Sequence, residues 1–156
     1  MYKKLTIFSI IFVIVDQLIK LIISNFVSYQ SSINIVPNFF YITNVHNDGA
    51  AWSILSGNVI LLALLGVIAL VLIYYFFLKD KTLSKLETFL YSLLIGGIIG
   101  NLIDRIFLGY VVDYIGVVLI NYYFPIFNFA DIGIVISILM MIILGIKEEY
   151  ACKKWK

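Results

Sequence analysis

Long apolar runs dominate the chain. Four of them, at about 5–23, 59–78, 86–107 and 126–146, each approach the ~20 residues a helix needs to cross a hydrocarbon core of about 30 Å, and each predicts a membrane span. Two stretches between them break the pattern, about 24–58 and 108–125. In the first, Ile33-Asn-Ile-Val and Phe39-Phe-Tyr-Ile-Thr-Asn-Val read as short strands, and Asn47-Asp-Gly is a turn signal. Ala50-Ala-Trp-Ser-Ile-Leu predicts a short interfacial helix with Trp52 in the headgroup belt, and Tyr122-Tyr-Phe-Pro belongs at the same depth. The expected fold is an all-α membrane protein: a four-helix transmembrane bundle, one domain over 1–156, with a small extracytoplasmic β-element.

Composition agrees. The 156 residues are 63% hydrophobic and 13% charged, with a mean hydropathy of +1.07. Soluble domains carry roughly 25% charged residues, so water cannot be the main solvent of this chain. The same scarcity of charge excludes disorder and a solvated nucleic-acid binder. One cysteine, Cys152, makes no internal disulfide, and one histidine, His46, builds no His/Cys zinc site. The start, Met1-Tyr-Lys-Lys before an apolar run, imitates a secretory signal. That run contains Asp16, Gln17 and Lys20 and has no small-x-small cleavage site, so it reads as a retained helix.

Charge sets the expected orientation. Lys3 and Lys4 precede the first span, Lys79, Lys81 and Lys85 separate the second and third, and Lys147, Lys153, Lys154 and Lys156 follow the fourth. Of 11 cations only Lys20 and Arg105 lie elsewhere. Both termini are therefore expected in the cytoplasm, with the long loop at about 24–58 and the shorter one at about 108–125 outside.

Ionisable groups are costly inside a bilayer, so their depth is informative. At 1.5 Å per residue, Asp16 lies about 18 Å and Lys20 about 24 Å above Lys4, while Asn101 lies about 24 Å and Asp104 about 28 Å above Lys85. Asp131 stands about 24 Å from Lys147 down the fourth span. Three spans thus carry polar groups at one level near the outer boundary. The second carries none and reads as a lipid-facing wall.

Asp113 and Asp131 sit on that side among apolar residues, in Val111-Val-Asp-Tyr and Asn128-Phe-Ala-Asp. Two carboxylates converging in a low-dielectric site cannot both ionise easily. One then keeps a proton and the other activates water, as in aspartic-protease chemistry. Spacing alone leaves other readings open. Polar residues also glue helices, Asp16 and Lys20 at i,i+4 form a simple intrahelical pair, and Asp104-Arg105 reads as an interfacial anchor. Ser24 with Lys20, or His46 with a serine and an acid, would make other peptidases, though the former pair has poor attack geometry. A proton- or ion-conducting bundle is the rival from another class. It needs polar groups through the full depth, and the cytoplasmic halves of these spans are almost purely apolar.

Taken in order, five motifs make the chain resemble the lipoprotein signal peptidases, the type II signal peptidases of bacterial plasma membranes, which are aspartic peptidases. These are Asp16-Gln-Leu-Ile-Lys20, Asn47-Asp-Gly-Ala-Ala-Trp52, Gly100-Asn-Leu-Ile-Asp-Arg105, Val111-Val-Asp-Tyr114 and Phe127-Asn-Phe-Ala-Asp131. The likeness spans nearly the whole chain. It implies Asp113 and Asp131 as the catalytic pair, with Asp16, Lys20, Asn47, Gly49, Asn101, Arg105, Asn128 and Ala130 shaping or supporting the site. It further implies a prolipoprotein substrate whose cysteine carries diacylglycerol, cut just before that cysteine, and inhibition by the cyclic peptide globomycin. Membrane lipids are the surroundings. No metal, cofactor or nucleic acid is implied, and a monomer is expected. Three positions depart from or vary within the family pattern: Tyr114 stands for the usual Phe, Ile132 for the usual Ser, and His46 where Arg or His is usual.

Overall fold

The structure, a computed structural model, describes residues 2–50, 52 and 54–153, with side chains through Lys147. Four helices are long and apolar enough to cross a membrane: Tyr2–Phe26, Val59–Leu78, Lys85–Phe107 and Phe129–Lys147. Helix α1 (Tyr2–Phe26) buries Leu5, Ser9, Phe12, Asp16 and Lys20, one stripe at spacings of three and four, and leaves most of its other apolar side chains exposed. That is the pattern of a helix with lipid on one side and protein on the other. Helix α2 (Val59–Ile73) runs into a wider π-type turn, Tyr74–Leu78. It buries none of its own residues, as expected of a lipid-facing wall. Tyr2 donates its hydroxyl to the Leu78 carbonyl (2.7 Å), holding the start of α1 beside the end of this span.

Helix α3 (Lys85–Phe107) is the centre of the bundle and packs against the other three helices. Its start is fixed by a reciprocal cap. Ser84 Oγ accepts from the Glu87 N–H (3.2 Å), while the Glu87 carboxylate accepts from the Ser84 N–H (2.8 Å). Close approach of its neighbours depends on missing side chains. A Cβ at Gly97 would lie 2.6 Å from the Ala130 carbonyl oxygen, and one at Gly100 would lie 2.6 Å from an Asp16 carboxylate oxygen. Small residues on α3 thus let α1 and α4 come near enough for their polar groups to meet.

At the far end from the lysines lies a four-stranded antiparallel sheet in the order β1 (Ser32–Val36), β2 (Phe40–Asn47), β3 (Val111–Leu119), β4 (Tyr122–Tyr123). The first two strands match the sequence reading to within one to two residues at each end. The third falls within the expected outer loop 108–125, where the sequence pattern predicts no strand. Its first four residues, Val111 to Tyr114, are all buried, so the alternation that marks a half-exposed strand is absent. In the register of β2 with β3, Val45 faces Asp113 and Asn47 faces Val111.

The fourth span begins at Phe129, later than the expected 126. Pro125 and its successors run extended, and Phe127 pairs with Ile115 of β3. Helix α4 (Phe129–Lys153) then starts on a full set of caps. The N–H of Phe129 goes to the Tyr114 hydroxyl (3.1 Å), that of Ala130 to Asp16 (3.0 Å), and that of Asp131 to the Asn128 side-chain oxygen (3.0 Å). The orphan donors of a helix N-terminus are thereby satisfied by β3, by α1 and by the preceding residue. The short interfacial helix expected over 50–55 falls partly on residues 51 and 53, and the cations Lys154 and Lys156 fall at the C-terminus; all four lie outside the described residues.

Candidate active site

The polar level inferred from the depth count is one connected network. Lys20 is 3% exposed, and its Nζ stands 2.9 Å from Asp16 and 2.9 Å from Asp104 while donating to the Asn101 side-chain oxygen Oδ1 (3.0 Å). Asp104 also accepts from Gln17 Nε2 (2.9 Å) and from the Val112 N–H (3.2 Å). It is 1% exposed, so it is a buried counter-ion that ties α3 to β3, and the interfacial-anchor reading is wrong for it. A charge buried this deeply persists only when paired and hydrogen-bonded, and each of these is.

Asp113 and Asp131 come from separate elements, the third strand and the first turn of α4, and face one cavity. It measures about 620 Å³, and its polar lining includes Asn47, Asn101, Arg105 and the two acids. The remainder of the wall is apolar, including Val111, Phe124, Ile126, Ile132 and Val135. Three asparagines aim the acids. Asn47 Nδ2 donates to one Asp113 oxygen (2.8 Å) and Asn128 Nδ2 to the other (2.7 Å). Asn101 Nδ2 donates to Asp131 (2.7 Å), whose second oxygen accepts from the Asn128 N–H (3.1 Å). Asn128, 0% exposed, therefore touches both acids and also donates to Asn101 (3.1 Å). The motif Asn128-x-x-Asp131 is a capping box, so the local rule that starts α4 also fixes the Asp131 rotamer.

Burial, and after it the charge of Asp131, push the Asp113 carboxyl up to about 7, against the hydrogen bonds from Asn47 and Asn128. Burial likewise raises the Tyr114 hydroxyl, so it stays neutral where it caps α4. Arg105 reaches across to the Gly49 carbonyl (Nη2, 3.0 Å), and Gly49 donates its N–H to Asn47 (2.9 Å). Arg105 thereby holds the turn that carries Asn47.

All ten residues singled out in the sequence lie in this network or on its cavity. Asp16 and Ala130 meet through the α4 cap; Lys20 and Asn101 link the ion pairs to the acids. Three further members were not on that list. Asp104 belonged to the polar level but was set aside beside Arg105, although it lies one turn beyond Asn101 on the same stripe. Gln17 carries no pattern signal, and the Tyr114 hydroxyl has a partner only because α4 starts where it does. The alternative peptidase pairings do not assemble. Lys20 is consumed by two carboxylates and Ser24 is exposed. His46 stacks between Tyr29 and Tyr110 (ring centroids 4.4 and 3.7 Å), away from the cavity lining, and burial lowers its basicity. Toward the lysine-rich end, Ser92 and Ser137 donate to backbone carbonyls. Among the described residues no file of titratable groups continues there as an ion path would need.

Residues 8–147 match the model of the family described as signal peptidase (SPase) II. The lipoprotein signal peptidases of Staphylococcus aureus strains JH9 and Newman are 39% identical over 140 residues, covering 90% of this chain and 86% of theirs. Two solved bacterial membrane enzymes, determined by the in meso method at 2.3 and 1.9 Å, share the fold with TM-scores of 0.84 and 0.80 at 37% and 38% identity. The first covers 93% of this chain and 88% of its own, the second 92% of each. The class is that of multi-pass bacterial membrane peptidases. The chain belongs to the signal peptidase II family.

Proposed function

We propose that this chain is an aspartic endopeptidase that frees the signal peptide of diacylglyceryl-modified prolipoproteins, cutting just before the lipidated cysteine. The observation that carries the reading is the meeting of Asp113 and Asp131, each held by asparagine donors, on a cavity whose other walls are apolar. With its pKa pushed up to about 7, Asp113 holds the shared proton and donates it toward the scissile carbonyl oxygen. Asp131 takes a proton from the attacking water, whose oxygen bonds to the carbonyl carbon. As the C–N bond breaks, that proton passes to the amine of the departing cysteine, leaving a carboxylic acid on the signal peptide. Asn47, Asn101 and Asn128 orient the acids, and Asp16, Lys20, Arg105, Gly49 and Ala130 hold the elements that carry them.

The apolar flank accepts the substrate's acyl chains, and the sheet edge can take the peptide as an added strand. With both termini in the cytoplasm, the acids lie near the extracytoplasmic face, where a lipid-anchored substrate presents its cleavage point. The test is cleavage of a purified diacylglyceryl prolipoprotein, with its unlipidated form as control. The expected result is cleavage of the lipidated form alone, abolished by Asp113→Asn and by Asp131→Asn. Near-normal turnover by either variant overturns the aspartic mechanism.

A further inference from the structure

The hairpin joining β3 to β4 has features that the cleft does not use. Leu119 pairs with Tyr122, and the two residues between them, Ile120 and Asn121, both adopt left-handed backbone (φ 48° and 62°). Turns of this hand favour Asn-Gly, Asp-Gly or Gly-Gly. Asparagine tolerates the geometry, but a β-branched isoleucine there is an outlier. Ile120 is also 100% exposed, with Leu119, Tyr122 and Tyr123 exposed around it. Between Arg105 and Asp131 the only charged residue is Asp113, so this hairpin lacks the edge charges that keep exposed strands soluble. In water the strained turn and the bare apolar tip would both be unfavourable, with nothing gained from either.

The chain between this hairpin and α4 shows where the tip lies. Phe124, Pro125 and Ile126 share the cavity with Ile132, Val135 and Ile136 from the first two turns of α4. Val135 and Ile136 are exposed apolar side chains of a membrane-spanning helix. The segment therefore overhangs the lipid-facing flank of α4. On the same end of the sheet Phe39 is exposed as well, next to the hairpin through the Val118 N–H on its carbonyl (2.9 Å).

We infer that the hairpin tip, residues 119–123, is a membrane finger. Ile120 enters the hydrocarbon of the sheet-side leaflet, and the Tyr122 and Tyr123 rings lie in the headgroup layer, where an apolar ring with a polar tip is most at home. The Trp52 indole N–H on the Tyr122 hydroxyl (3.3 Å) then links the finger to the rim of the cavity. The finger sets the height of the cavity mouth above the lipid. The proposal needs only that the four helices span a bilayer, and it stands whatever reaction the cleft performs.

Its test is a depth measurement. In a Cys152→Ser background, Ile120→Cys carries an environment-sensitive fluorophore, and the full chain is reconstituted into phosphatidylcholine–phosphatidylglycerol vesicles. Expected are blue-shifted emission and strong quenching by lipids brominated on the acyl chain, with neither seen for the same label at Asn34→Cys on β1. The same label at Tyr123→Cys, with Ile120 intact, gives a second reading should the first variant fold poorly. Water-like emission without bromolipid quenching at the tip overturns the proposal. Blue emission that depends on the protein-to-lipid ratio and ignores bromolipid also overturns it, and assigns the tip to a second copy of the chain.

Discussion

Replacing Asp113 by asparagine separates two effects that have different pH dependence. Both Asp113 oxygens accept hydrogen bonds, from Asn47 (2.8 Å) and from Asn128 (2.7 Å). An amide in its place must turn its own N–H2 toward one of these donors, which costs about 1–3 kcal/mol at every pH. The acidity of the carboxyl acts differently. Burial and the neighbouring Asp131 raise its pKa from 3.8 to about 7, so between those values the folded protein holds a proton that the unfolded chain has released. The folded state binds more protons, so wild-type stability falls as pH rises through that window and levels off above it. At about 1.36 kcal/mol per pH unit, the loss from about pH 5 to about pH 8 is about 3 kcal/mol. Asp113→Asn lacks this slope. Relative to wild type it should gain about 3 kcal/mol over the interval, on the order of 5–10 °C in melting temperature for a chain of this size. Thermal unfolding in detergent, followed by intrinsic fluorescence at several pH values, measures the gap. Parallel wild-type and variant curves would refute the claim that burial and Asp131 hold a proton on Asp113.

Lys20→Met strands Asp16 and Asp104 without their cation and should destabilise the fold by about 3–5 kcal/mol, read as a large fall in melting temperature. Asp16→Ala should lower stability and reduce cleavage without eliminating it; a variant as stable as wild type and as inactive as Asp131→Asn would move Asp16 into the acting pair. Gly100→Ala, whose new methyl would press on the Asp16 carboxylate, should cost about 1–3 kcal/mol. Gly145→Ala, with no atom within 4 Å of the added carbon, should be neutral or gain up to about 1 kcal/mol of helix propensity; equal losses at both glycines would remove the close-packing argument. Membrane-impermeant thiol labelling in sealed cells should reach Ser31→Cys and fail at Lys81→Cys; the reverse pattern would invert the orientation.

The spans were legible because crossing a membrane demands a length of apolar chain that few other structures require. Depth was legible too. Counting from Lys4, Lys85 and Lys147 put Asp16, Lys20, Asn101, Asp104 and Asp131 at one level, and they meet there. Pairing was not. Within its own helix Lys20 shows only Asp16; its second carboxylate, Asp104, comes from α3 and depends on how close Gly100 lets the two helices approach. Asn128 reads locally as a cap, and only the fold shows that its amide also spans the distance to Asp113. The third strand was missed because Val111, Val112, Asp113 and Tyr114 are buried together, which erases the period of two. The start of α4 was set too early because Ile126 and Phe127 continue the apolar run while their backbone pairs with β3.

The capping of α4 has a consequence for how the protein is made. This helix is the last of the four spans to be synthesised, and it brings Asp131 together with the N–H that satisfies Asp16. Until it inserts, the first span holds an acid with one partner fewer, and the cleft has only one of its two acids. On the proposed mechanism a nascent chain of three spans cannot cut peptide bonds. The cleft is completed in a single late step, when one helix end is received by α1, α3 and β3 at once.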